Sequence, residues 1–85
     1  MIAEEIERRI RQNFDVIELQ IIDESHKHKG HAGYNPEGES HFRIKLISPD
    51  FKDMGRVERQ RKIYILLDDL LKSRIHALSL SLSGS

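Results

Sequence analysis

Three of the chain's five histidines fall within ten residues, in the stretch ESHKHKGHAG from Glu24 to Gly33. A neutral imidazole is an ordinary ligand for iron, zinc and copper, so His26, His28 and His31 are candidate metal ligands. The chain has no cysteine, so a metal bound here would be held by nitrogen or oxygen, or by the sulfur of a partner. The residue types alone are equally compatible with a nucleic-acid loop or a solvated surface turn.

The segment GHAG, residues 30–33, matches the GxxG loop with which KH modules clamp nucleic-acid backbones. In those modules the loop joins two helices, whereas here it falls between two predicted strands, so the match is weak. The sequence has neither a P-loop nor a GxGxxG fingerprint. No set of nucleophile, base and orienting group is visible either. We therefore expect a binding protein and not an enzyme.

Composition limits the classes of partner. Fourteen basic residues balance fourteen acidic ones, which weakens a nucleic-acid interpretation without excluding a local basic patch. The 85 residues suit one domain, which we place at residues 1–82, with residues 83–85 as a disordered tail. No apolar run approaches the roughly eighteen residues of a membrane span, so we expect no membrane partner. No n-region and h-region pair opens the sequence, so we expect a cytoplasmic protein.

Hydrophobic patterns predict the element order α-β-β-α-β. Apolar residues recur every four positions from Ile2 to Phe14, which predicts a helix over about residues 2–13. Period-two alternation predicts three strands, in VIELQIID, HFRIKLIS and HALSLSLS. A wide apolar stripe predicts a second, long helix from about Arg56 to Arg74, packed on the sheet through Val57, Ile63, Tyr64, Leu66, Leu67, Leu70, Leu71 and Ile75.

The connections between these elements determine how the strands pair. Strands one and two are joined by a loop and should pair antiparallel. The second helix is a crossover, so the third strand should run parallel to the second, with a right-handed connection. The sequence therefore predicts an α/β (α+β) fold, with a three-stranded mixed sheet and both helices on one face.

This topology brings another histidine to the histidine-rich loop, which spans residues 24–40. The loop ends where strand two begins, so the start of a parallel third strand, at His76, should lie at the same edge of the sheet. Strand phase turns His76 to the helix side and His41 to the open face. If a metal binds here, we expect His76 to be the principal ligand and a loop histidine the second, with His31 ranked before His28 and His26 third. On the same argument His41 should be dispensable. The alternative is that the loop histidines are solvated and His76 is a strand-initiating residue hydrogen-bonded to the backbone.

The chain resembles the BolA-like proteins along nearly its whole length. The resemblance rests on the segments DESHKH, GESHF, LISPDFKDM, RVERQRKIY and IHALSL. The histidine-rich loop looks like the subtype that carries histidine instead of cysteine there. The resemblance implies a fold similar to class II KH domains.

The same resemblance implies a function. Such a protein is a non-enzymatic adaptor that binds a monothiol glutaredoxin and shares a two-iron two-sulfur cluster with it and with glutathione. His76 and a residue of the loop would be this chain's ligands, and the role would be cluster trafficking or iron regulation. The isolated chain, which we expect to be a monomer, should then hold no cluster tightly.

Some members of the family are described as DNA-binding regulators of morphology and stress response. That alternative would use the start of the long helix, with Arg56, Arg59, Arg61 and Lys62 contacting phosphates. The family commonly reads Arg-His-Arg where this chain has a glutamine, Gln60, between two arginines. Any role that needs a histidine at this position is therefore in doubt for this protein.

Overall fold

The structure is a computed structural model that describes residues 1–25 and 40–85. Three α-helices, three β-strands and a short 3-10 helix make up this part of the chain. In order they are α1 (Ile2–Asn13), β1 (Glu18–Asp23), β2 (His41–Ile47), the 3-10 helix (Pro49–Phe51), α2 (Arg56–Leu66), α3 (Asp68–Ser73) and β3 (Ala77–Ser83).

The strands form one mixed sheet in the order β1-β2-β3. β1 pairs antiparallel with β2, and β2 pairs parallel with β3. This arrangement confirms the predicted fold class and the pairing direction of every strand. The last strand runs through Ser83, which pairs with Ile47, so regular structure extends one residue past the domain boundary placed at residue 82.

The hydrophobic core lies between the helices and one face of the sheet. The four-residue repeat of α1 places Ile2, Ile6 and Ile10 in this core, as predicted. Alternate residues of the central strand β2 face them across the layer. The buried core consists of Ile2, Ile6, Ile10, Phe42, Ile44, Leu46, Phe51, Ile63, Leu67 and Ile75.

The predicted apolar stripe of the second helix is confirmed at six of its eight positions: Ile63, Leu67 and Ile75 are buried, and Leu66, Leu70 and Leu71 pack partly buried against the core. Val57 and Tyr64, assigned to the apolar stripe, are 62% and 42% exposed, whereas Ile63 is fully buried. Apolar residues occupy every position from 63 to 67, so the periodicity there does not select one face. Ile17 belongs to the segment VIELQIID, which was predicted as the first strand, but it precedes β1 and is 63% exposed.

The long second helix is also divided. Leu67 has φ −107° and ψ 15°, outside the helical range, and separates α2 from α3. An ion pair joins α3 to the first helix: both terminal nitrogens of Arg9 bind the carboxylate of Asp69, at 2.6 and 3.0 Å. The Arg9 guanidinium lowers the pKa of Asp69 from 3.8 to about 2. α3 in turn leads into His76.

The orientation of α2 can be tested with two isoleucines that lie two residues apart. Ile63 is fully buried and Ile65 is 75% exposed. Ile63→Ala should lower the free energy of unfolding by about 2–5 kcal/mol, because it leaves a cavity in the core. Ile65→Ala is the matched control and should change it by less than about 0.5 kcal/mol. Urea unfolding measures both values, and equal losses would contradict the observed orientation of α2.

Candidate metal centre at the start of β2 and β3

His76 stands directly before β3, at the sheet edge where β2 begins. The register pairs His41 with Ala77, the first residue of β3. The carbonyl oxygen of Ser40 accepts hydrogen bonds from the backbone N–H groups of His76, at 2.7 Å, and Ala77, at 3.3 Å. The predicted neighbourhood of His76 and the loop's end is therefore confirmed at Ser40. The His76 side chain is exposed to solvent.

His41 lies beside His76, which the sequence did not predict. The two imidazole rings have centroids 5.9 Å apart and planes that differ by 14°, so they are stacked. Strand phase had assigned these residues to opposite faces of the sheet, and that separation is wrong. Phase alternates only within a strand, whereas His76 precedes β3 and shares the Ser40 carbonyl with Ala77.

His41 is also buried, with 6% of its surface exposed, and it takes part in a chain of polar contacts. The Ser25 hydroxyl donates to Oδ1 of Asp23 at 2.6 Å. Its oxygen accepts the backbone N–H groups of Ser40, at 2.9 Å, and His41, at 3.2 Å. The Ser40 hydroxyl lies 2.9 Å from Nδ1 of His41. Ser25 and Ser40 are both buried, so these contacts are shielded from water.

The surface around His76 carries positive charge. A depression of about 210 Å³ is lined by His76, Lys72, Arg74 and their neighbours at the end of α3. Lys72 also pairs with Asp68 at 3.0 Å, and Arg74 is exposed. Because Asp68 offsets part of the charge of Lys72, Arg74 is the main cation beside the imidazole, and it favours an anionic ligand over a bare metal cation.

The described residues contain no complete metal site. Within residues 1–25 and 40–85, no group of three or more histidine, cysteine, aspartate or glutamate side chains could hold a metal ion. The predicted ligands His28 and His31, together with His26, lie outside the described residues. A metal group at His76 would therefore need ligands from the 26–39 segment, from a partner, or from both.

The basic residues predicted for nucleic acid divide into two groups. Arg56, Arg61 and Lys62 are exposed. Arg59 instead joins elements of the fold: its Nε donates to the Met54 carbonyl at 3.0 Å, and a terminal nitrogen donates to the Leu82 carbonyl at 3.2 Å.

Gln60, which lies between the predicted phosphate-contacting residues Arg59 and Arg61, is half-buried. Gln60 lines a cleft between α2 and β3, together with Arg56, Leu80 and Leu82.

Sequence reasoning did not find Ser25 and Ser40 as parts of this site. Asp23 and Ser25 have the spacing of a local turn in which a carboxylate binds the backbone two residues on, and Asp23 does accept the Ser25 N–H at 2.9 Å. That pattern was a usable indication. The contact between Ser25 and Ser40 joins residues fifteen apart, and no local pattern encodes it.

No helix among the described residues has the length and apolarity that crossing a membrane requires.

Comparison with known proteins finds relatives that match most of this chain. A protein from Haemophilus influenzae named DNA-binding transcriptional regulator BolA is 42% identical over 77 residues, covering 91% of this chain and 71% of the relative. SufE-like protein 1 from Arabidopsis thaliana is 39% identical over 79 residues, which cover 88% of this chain but 21% of that relative. The chain therefore spans about a fifth of this larger protein.

A solved structure, BolA1 from Arabidopsis thaliana, superposes with a TM-score of 0.85 at 31% identity. The match covers 98% of this chain and 90% of that one. The family model described as BolA-like protein matches residues 10–84. On sequence and structure together, the chain belongs to the BolA-like family.

Proposed function

We propose that this protein is a non-enzymatic adaptor that binds a monothiol glutaredoxin and co-ligates a two-iron two-sulfur cluster with it. The observation that carries the proposal is the position of His76, a solvent-facing residue held next to Ser40, which directly follows the 26–39 segment. The described residues alone do not give His76 a complete set of metal ligands. A partial shell suits a group shared between two proteins. The proposed role is cluster trafficking or iron regulation.

The electrostatics of the depression support the same proposal. A cluster ligated by thiolates carries net negative charge, and glutathione, which would enter with the glutaredoxin, carries two carboxylates. Lys72 and Arg74 lie beside His76 and would attract both. His76 would bind iron through a ring nitrogen, and His31 or His28 would be the second ligand from this chain. Bound, the cluster supplies iron and sulfide for transfer or sensing.

The adaptor proposal predicts a spectroscopic result. The isolated protein should be colourless, and mixing it with a monothiol glutaredoxin, glutathione, iron and sulfide should give a heterodimer that absorbs visible light. His76→Ala should lose or rearrange the cluster spectrum, because the ligand is gone, while the cluster-free heterodimer still forms on a sizing column.

Variants of the 26–39 segment provide the internal comparison. Among these three variants, His31→Ala should impair the cluster most, His28→Ala less and His26→Ala least. A stable coloured cluster on the isolated chain would contradict the adaptor proposal. So would a His76→Ala complex with the wild-type spectrum.

A second candidate function is DNA binding. Relatives from Haemophilus influenzae and Escherichia coli, 42% and 39% identical, are named DNA-binding transcriptional regulators. In this chain Arg56, Arg61 and Lys62 are exposed on α2 and could contact phosphates. Arg59 is engaged with the Met54 and Leu82 carbonyls, so it would support this surface more than it would touch DNA.

The DNA hypothesis predicts a salt-dependent loss. The double variant Arg61→Ala/Lys62→Ala should weaken binding and lower the slope of log K against log salt by roughly 2, one counterion for each lost phosphate contact. Fluorescence anisotropy at several salt concentrations measures the slope. Arg8→Ala/Arg11→Ala removes two exposed cations from α1 and is the matched control. Equal effects of the two double variants would mean that α2 is not the contact.

A further inference from the structure

We propose that His41 is a positioning residue for His76: the Asp23–Ser25–Ser40 hydrogen bonds hold the buried imidazole of His41, and its face fixes the ring plane of His76. The inference rests on the proposed function, in which the His76 ring binds the cluster and its orientation therefore matters. His41 itself would support the ligand without binding iron.

The hydrogen bonds of the Ser25 hydroxyl determine whether the Ser40 hydroxyl can donate to it. The Ser25 proton goes to Asp23, and the Ser25 oxygen already accepts two backbone N–H groups, from Ser40 and His41. A hydroxyl oxygen has two lone pairs, so it has no capacity for a third donor. The 3.4 Å separation between the Ser25 and Ser40 hydroxyl oxygens is also long for an O–H···O bond.

The fully buried Ser40 hydroxyl therefore donates to Nδ1 of His41, at 2.9 Å. With Nδ1 as an acceptor, the neutral ring carries its hydrogen on Nε2. In this tautomer one nitrogen is engaged by Ser40 and the other is protonated, and metal binding requires a nitrogen with an available lone pair. His41 is therefore a poor ligand despite lying next to the proposed one.

The stacked geometry gives His41 its effect on His76. Centroids 5.9 Å apart and planes within 14° fall in the range of offset-stacked aromatic pairs. The two partners differ in freedom, because His41 is buried and hydrogen-bonded whereas His76 is exposed. The anchored ring restricts the exposed one, so the His76 imidazole has a defined plane before any partner arrives. Such pre-organisation reduces the entropy cost of binding.

Nuclear magnetic resonance on the wild-type protein tests the arrangement without any partner. In protein labelled with 15N histidine, at a pH where the rings are neutral, long-range 1H–15N correlations report which ring nitrogen carries hydrogen. We expect His41 to be protonated on Nε2. Protonation on Nδ1 would overturn the proposal, and this outcome requires no variant to fold.

A pair of serine variants tests the link to His76. Ser40→Ala removes the donor to His41 and should change the His41 tautomer and shift the His76 ring resonances. Ser48→Ala removes another fully buried hydroxyl, which accepts from the Asp50 N–H, and should leave both unchanged. Unmoved His76 resonances in folded Ser40→Ala would overturn the positioning role.

The glutaredoxin complex tests the consequence for the cluster. Ser40→Ala should still assemble a cluster, since His76 is present, but with an altered visible circular dichroism spectrum and a stability lowered about 10-fold, as for other lost outer-shell contacts. Ser48→Ala should match wild type. A Ser40→Ala cluster identical to wild type would overturn the positioning role. If wild type forms no cluster, the proposed function fails while the tautomer measurement still decides the arrangement of His41.

Discussion

The parallel pairing of β3 with β2 is the constraint on which the site depends. It begins at the Ser40 carbonyl, which accepts the N–H groups of both His76 and Ala77. One carbonyl serving two successive donors holds the chain where it turns from α3 into the strand. His76, which ends this turn, is thereby held against Ser40, the residue that follows the 26–39 segment, although the two lie more than thirty-five residues apart in sequence.

This arrangement explains why His41 and His76 differ in solvent exposure and in hydrogen bonding. His41 lies within β2, is buried, and has Nδ1 next to a buried hydroxyl. His76 lies outside regular structure and faces solvent beside Lys72 and Arg74. A buried, hydrogen-bonded ring supports a site, whereas an exposed ring in positive surroundings can meet an anionic partner-borne group. In the proposed adaptor function, the buried His41 holds the site in place and the exposed His76 is accessible to the partner.

Much of the fold could be predicted from the sequence because most of the hydrophobic patterns are compatible with only one buried face. The isoleucines of α1 repeat every four residues, and Phe42, Ile44 and Leu46 alternate along β2, so both buried faces were predicted correctly. Connection length and handedness then fixed the strand pairing. The exposure of Val57 and Tyr64 on α2 was not predicted, since the apolar residues near Ile63 are consecutive and leave the edges of the buried stripe undefined. The His41–His76 contact was missed because strand phase was extended to a residue that lies before the strand.

Pulsed electron paramagnetic resonance on the reduced complex tests the central claim, that an imidazole nitrogen of His76 binds the shared cluster. The chain would be labelled with 15N histidine and the glutaredoxin left unlabelled. The account predicts a 15N hyperfine coupling typical of a directly bound nitrogen, and it predicts that this coupling weakens or disappears in His76→Ala. A reduced cluster in the wild-type complex without any such coupling would contradict the account.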